Sequence, residues 1–343
     1  MTKKARNSER RRGFGILGIA VLCLALGGGA SADNAGQLYA GMYPDDFWRN
    51  AEILGAVAGW AGKPMTFGGT FVDAADHVDN VAVKLEQAWQ GRTTPFVNVE
   101  VQGTAAEVGR GELDHEVQNF ARGVAAWLGL GEGRSLIVAP MQEMNLRETR
   151  WGCDPENYRA SYRRFVDAFR ELGIDDDTRV RWAFAPNGWT TPACGSIDLY
   201  YPGDELVDLV GISAYNFGPN EWDGKYRPPT EVYAYLDLLR SFAPDKPYLI
   251  AQTGTAPVGG DRDAWLREMF DVLTADPNAV GFLYFNKDKS SWGGNEWDWR
   301  IFDAEARTGA PGFVEGMQRA STVHRWPLTH WFQPGPLPKS PGF

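Results

Sequence analysis

Ser135-Leu-Ile-Val-Ala-Pro-Met-Gln-Glu-Met-Asn145 is the stretch on which the reading of this chain turns. Leu136 to Ala139 form an unbroken apolar run, the signature of a strand buried on both faces of a parallel sheet. Pro140 withholds a ladder donor, so the strand is expected to stop there. Glu143 follows at once, with Gln142 and Asn145 beside it. A carboxylate just past the carboxyl end of a buried parallel strand stands where barrel enzymes place their chemistry.

Seven further runs have the same character, at spacings that mostly leave room for a helix. With Ser135–Met141, the expected strands are Leu38–Gly41, Pro64–Phe67, Pro95–Val101, Val180–Ala185, Leu206–Ser213, Pro247–Ala251 and Val280–Phe285. Between them lie apolar stripes of helical period: Leu113, Val117, Phe120, Val124 and Leu128, then Tyr158, Tyr162, Phe165, Phe169 and Leu172. The second stripe has a start, Asp154 as cap and Pro155 at the first position, and a stop at Gly173. Thr230 and Asp261 are expected to cap two later helices. Thr190–Asp204 reads as loop with little helix. Eight strand-then-helix units predict an α/β fold, a single-domain (β/α)8 TIM barrel over residues 33–320. A Pro-rich tail, 321–343, follows, with a packed start at Trp326 and a loose finish.

Six basic residues within the first 12, an apolar run from Phe14 to Leu26 and then Ala30-Ser31-Ala32 have the form of a cleavable export signal over residues 1–32. Without that segment 28 Lys and Arg face 43 Asp and Glu, so the charge moves from −10 to −15. So acidic a chain favours neither nucleic acid nor an anionic membrane. The expected partner is a polysaccharide or oligosaccharide, met by a monomer in the periplasm or outside the cell. Two cysteines remain after the signal, Cys153 and Cys194, and an exported pair is expected to form one disulfide. The 14 Trp residues have two readings. They enrich the core, or several line a groove whose flat indoles suit sugar rings.

The residues after the expected strands are carboxylates, amides and aromatics: Glu100; Gln142, Glu143, Asn145 and Trp151; Asn187 and Trp189; Tyr215 and Asn216; Gln252; Tyr284, Asn286, Trp292, Trp297, Asp298 and Trp299. None of the four His (His77, His115, His324, His330) directly follows a strand, which argues against a zinc site or a Ser-His-Asp triad. Gly259-Gly260 lacks the further glycines and the Lys of a phosphate loop. No metal and no cofactor is expected. Such a rim suits glycoside hydrolysis, in which one carboxylic acid protonates the leaving oxygen and a second carboxylate attacks the anomeric carbon. Glu143 fits the acid; its alternative is a structural carboxylate bridging two strands.

Over roughly residues 36–305 the sequence resembles glycoside hydrolase family 26, the β-mannanase family. The matching pieces are Gly111–Ala126, Met141-Gln-Glu-Met-Asn145, Tyr158–Arg170, Trp182–Asn187, Asp208–Asn216, Lys246–Gly254, Phe282–Asn286 and Asp298-Trp-Arg300. The resemblance implies a (β/α)8 barrel with catalytic glutamates after strands four and seven, acting on a β-linked polysaccharide, β-mannan first. It makes Glu143 the acid/base, gives Tyr215 the task of holding the nucleophile, and places Trp189, Asn286 and Trp299 in or near the cleft. With the rim residues, the expected substrate contacts are Gln142, Asn145, Trp151, Asn187, Trp189, Tyr215, Tyr284, Asn286 and Trp299.

Three positions depart from the pattern. Gln142 stands where the family usually has His, and Tyr284 where it often has Trp. In Ile250-Ala-Gln-Thr-Gly254, Gln252 stands at the nucleophile position. A neutral amide is a poor nucleophile and brings no charge to an oxocarbenium-like transition state, so cleavage is expected to be impaired. Three explanations stay open: a change introduced to trap substrate, a natural glycan-binding barrel that hardly cleaves, or another carboxylate acting, with Glu100, Glu296 and Asp298 available.

Overall fold

Eight of the apolar runs become parallel strands that close on themselves. The computed structural model describes residues 36–46, 49–175, 179–293 and 297–328. The expected signal segment, the end of the tail, Glu296 and the side chain of Trp292 lie outside the described residues. The strands are β1 (Leu38–Tyr43), β2 (Phe67–Asp73), β3 (Thr94–Glu100), β4 (Leu136–Pro140), β5 (Val180–Phe184), β6 (Leu209–Asn216), β7 (Tyr248–Thr255) and β8 (Ala279–Phe285). Each pairs with the next, and β1 pairs with β8 over Tyr39–Tyr43, which closes the barrel. The fold is the expected (β/α)8 barrel. Thr322–Val323 adds a short parallel strand to β1, and Trp326 packs on Trp89 with ring centroids 4.7 Å apart.

Two apolar layers hold the cylinder. One fills its interior, from Tyr39, Phe67, Phe96 and Ile137 to Leu249, Leu283 and Phe285. The other lies between strands and helices, and takes in Val117, Phe120 and Val124 on one helix and Tyr158, Phe165 and Phe169 on another. The second of these helices, Pro155–Glu171, starts as expected, with Asp154 accepting from the Asn157 N–H at 3.3 Å and Gly173 in the left-handed region after its end. Asp261 caps Arg262–Ala275 in the same way.

Several boundaries differ from the expectation. β2 runs over Phe67–Asp73, not Pro64–Phe67, because Gly68 and Gly69 are strand residues in close contact, not a turn. A Cβ on either would collide with Thr93 or with the Tyr43 ring. β7 continues past Ala251 to Thr255, so Gln252 is a strand residue. The polar Thr253 and Thr255 are fully buried there and hydrogen-bonded to Tyr233, Asn216 and Tyr226. Thr230 does not cap: Pro229 opens a single short turn, Pro229–Val232, and a separate helix follows at Leu236–Phe242. Thr190–Asp204 holds only a 3-10 turn, Ile197–Tyr200.

Candidate functional site

The site begins with two turns of backbone that ordinary residues rarely adopt. After β4, Met141 and Glu143 both take positive φ, 50° and 57°. For residues with a Cβ this costs of order 1 kcal/mol or more each, and it persists only where the surroundings over-determine it. Here they do. Met141 N–H donates to Val99 O at 2.8 Å, and Glu143 N–H donates to Ala185 O at 2.9 Å. Met141 and Met144 are buried beneath as anchors. The strain lifts the Glu143 side chain onto the carboxyl end of the barrel.

Asn145 and a disulfide lock this loop to the one after β5. Asn145 is fully buried. Its amide donates to Asn187 O at 2.9 Å and Trp189 O at 2.8 Å and accepts from Asn187 N–H at 2.8 Å. Cys153 and Cys194 are bridged, with their Cα atoms 4.3 Å apart.

Glu143 therefore has neighbours from four strands. Asn187 faces its carboxyl from the β5 loop, and Ser213 from β6, although the buried Ser213 hydroxyl closes no full hydrogen bond. Asn187 is bridged to Ser213, and Ser213 is in register with Gln252 on β7, so one lateral row runs from the acid's side of the mouth to Gln252. Gln252 is almost wholly buried, and its Oε1 accepts the Tyr215 hydroxyl at 2.9 Å. Glu100 at the end of β3 accepts from Gln142 Nε2 at 3.3 Å. Burial raises the Glu143 pKa above the ordinary carboxylate value; the amide of Asn187 and hydroxyl of Ser213 oppose this, and the charge of Glu100 adds to it. Glu100 is raised too, first by burial, against the pull of Gln142. The hydroxyls of Tyr215 and Tyr43 are held well above their usual range by burial, and both feel Glu143. A half-buried carboxyl that resists ionisation is suited to donate a proton.

The expected substrate contacts divide. Asn187 and Tyr215 stand in the row just described, and Gln142 bridges toward Glu100. Trp189 presents an indole 51% exposed. The other five are buried supports with little surface to offer a sugar. Asn145 has spent its amide on backbone. Asn286 has done the same: it donates to Phe302 O and accepts from the Ile301 and Phe302 N–H groups. Trp151 is buried and donates to Gln142 O at 2.9 Å. Tyr284 is fully buried and accepts from Thr255 N–H. Trp299 is also buried, 5.2 Å from the Tyr215 ring, and backs that residue rather than the cleft.

Of the alternative carboxylates, Glu100 joins the site. Asp298 does not: it is held by Arg300 through two contacts of 2.8 Å. The sequence reading missed Tyr43, Ser213 and the exposed indole of Trp222. Tyr43 ends β1, whose end was placed two residues early; Ser213 was read as a strand end. Trp222 lies in a loop after β6, where only the loop's place on the active face marks it. Among the described residues no cluster of His, Cys, Asp and Glu could hold a metal ion.

A closed parallel barrel with a carboxyl of raised pKa at its carboxyl-end mouth, and aromatic and amide neighbours around it, has the architecture of a barrel glycoside hydrolase. The sequence model of glycosyl hydrolase family 26 matches residues 65–240, and the chain belongs to that family. It is 28% identical over 242 residues to endoglucanase H of Acetivibrio thermocellus, a match covering 67% of this chain and 24% of that protein. It is 26% identical over 220 residues to the β-1,3-xylanase TXYA of a Vibrio species, covering 60% and 45%. The chain thus spans less than half the length of these curated relatives. In fold it resembles the catalytic domain of the Bacillus sp. JAMB-750 endo-β-1,4-mannanase, with a TM-score of 0.61, 17% identity and coverage of 88% and 91%.

Proposed function

We propose that this chain binds and slowly cuts the backbone of a β-linked polysaccharide, with β-mannan as the leading substrate. The observation that carries the reading is Glu143: strained into place, half-buried, raised in pKa and joined by one row of side chains to the Tyr215–Gln252 pair. Glu143 protonates the departing glycosidic oxygen. Gln252 lies at the position from which the family's second carboxylate attacks, and its neutral amide makes that step slow. Trp189 and Trp222 offer flat apolar faces for sugar rings. The resemblance favours mannan; the relatives named above add β-glucan and β-1,3-xylan. An exported protein fits the N-terminal sequence and the Cys153–Cys194 bridge.

A second reading is a glycan-binding barrel without turnover, and the neutrality of Gln252 favours it. Release of reducing ends from mannan, β-glucan and β-1,3-xylan separates the two, measured for the native chain and for Gln252→Glu. Restoring the carboxylate is expected to raise the rate about a hundredfold or more. Measurable native release makes the chain a slow hydrolase; binding with release only in the variant makes it a binder. Neither binding nor release on any β-glycan, in either protein, would overturn both.

A further inference from the structure

Two polar groups in the row that joins Glu143 to Gln252 are unspent. Gln252 is almost wholly buried, and the Tyr215 hydroxyl occupies its Oε1 at 2.9 Å. That bond fixes the amide and leaves Nε2, with its two N–H donors, paired to no described residue. In register with it on β6, the Ser213 side chain is fully buried and its hydroxyl closes no full hydrogen bond. The Ser213 backbone is pinned, its N–H donating to Pro186 O at 2.9 Å and its O accepting the Gly188 N–H at 2.8 Å, so the hydroxyl stays where it is. Unpaired buried polar groups cost stability, and a ligand group that pairs with both recovers it.

The interior-facing side chains nearest this row are small. Ala139 of β4, Ala183 and Ala185 at β5 and Ala251 of β7 face the barrel interior, whereas β1, β2, β3 and β8 send in Tyr43, Phe71, Phe96 and Phe285. On this side a substituent hanging below a bound sugar meets methyl groups rather than rings. A secondary amide with a methyl group matches all three features. Its carbonyl oxygen accepts from Gln252 Nε2, its N–H donates to Ser213 Oγ, and its methyl lies against the alanines. Polysaccharides carry that group as the 2-acetamido substituent of N-acetylhexosamines. It also brings what Gln252 lacks, an oxygen able to attack the anomeric carbon.

Resting on the reading of Glu143 as the acid, we infer that the sugar at the cleavage point is a β-linked 2-acetamido sugar with an equatorial C2 substituent, and that its acetamido oxygen does the work of the missing carboxylate. In that configuration the acetamido group is trans to the departing oxygen and reaches C1 from the opposite face; the axial C2 oxygen of a mannoside does not. Glu143 gives its proton to the glycosidic oxygen as the C1–O bond breaks, and the acetamido oxygen forms the new bond to C1. The product is a cyclic oxazolinium ion whose proton stays on nitrogen, held by Ser213 Oγ. Water then adds to C1 from the vacated face and gives a proton to the Glu143 carboxylate. The bond from C1 to the acetamido oxygen breaks, and the acetamide and the acid are both restored. Gln252 steadies the attacking oxygen through Nε2, a task that a carboxylate could not perform.

The test measures reducing-end release and calorimetric binding on β-linked oligosaccharides of N-acetylglucosamine and N-acetylgalactosamine, on their de-N-acetylated counterparts and on β-mannan oligosaccharides. At least one N-acetylated series is expected to be cut about a hundredfold faster than its free-amine counterpart and than mannan. Gln252→Glu should reverse the order, cutting the N-acetylated series about tenfold more slowly and mannan faster. Ser213→Ala removes an unpaired hydroxyl and should keep the melting temperature. It is expected to weaken binding of the N-acetylated series about tenfold more than that of mannan. N-acetylated oligosaccharides that bind uncut, or that are cut no faster than the free amines, would overturn the assisted route while leaving the cleft. Binding of mannan or the free amines alone would overturn the acetamido site and keep the cleft. Binding of none would remove both.

Discussion

At the scale of single residues, Glu143 is the most constrained group at the mouth. Burial opposes its charged form in the folded state, so its folded pKa lies above its unfolded one. The sign follows from linkage. Above the ordinary carboxylate value the unfolded chain has released this proton while the folded chain keeps it, so stability attributable to Glu143 falls as pH rises through that window. Glu143→Gln, which keeps the shape and removes the titration, is therefore expected to melt higher than the native chain at pH 7, by no more than about 2–4 °C. The two proteins should converge near pH 4. A variant that melts lower at pH 7 would mean that the carboxylate is a stabilising bridge. Gln252→Glu should raise the Glu143 pKa further, because two carboxylates in one mouth resist joint ionisation.

Residue chemistry was legible in the sequence only in part. A carboxylate after a buried strand can be found from the pattern alone, and so Glu143 and Glu100 were. An amide that ties two loops together and an amide that contacts a sugar look alike in sequence. Asn145 and Asn286 are of the first kind, fully satisfied by backbone partners. Indoles divide in the same way: Trp151 and Trp299 are buried, while Trp189 and Trp222 are exposed.

At the scale of elements, the decisive unit is the pair of loops after β4 and β5. Strained turns at Met141 and Glu143, the Asn145 network and the Cys153–Cys194 bridge all act on the same few residues. The bridge spans 41 residues in sequence, so it removes substantial freedom from the unfolded chain. Replacing both cysteines by Ala is expected to cost about 2–4 kcal/mol in denaturant unfolding. Turnover of the Gln252→Glu protein should fall with it even where the fold is intact, since Asn187 and Glu143 sit on the two bridged loops. Loss of stability with full turnover would show that the bridge does not position the acid. Strands were the most legible elements, because burial on both faces writes them as apolar runs. β2 escaped because its glycines answer to close packing against Thr93 and Tyr43, a tertiary demand that a local pattern does not carry.

At the scale of the whole molecule, eight parallel strands close through β1 and β8 and gather their carboxyl ends into one mouth. Closure brings residues as distant in sequence as Tyr43, Glu100, Glu143, Gln252 and Lys287 onto one face. The eightfold alternation of strand and helix foretold that gathering, and the family pattern carried it to particular residues.

The most direct test is a crystal structure of the native chain with a β-linked oligosaccharide bound. Glu143 is expected within hydrogen-bond reach of a glycosidic oxygen, with the Gln252 amide against the opposite face of the adjoining anomeric carbon. An oligosaccharide seated away from the mouth, or one whose anomeric carbon does not lie between those two side chains, would contradict the account.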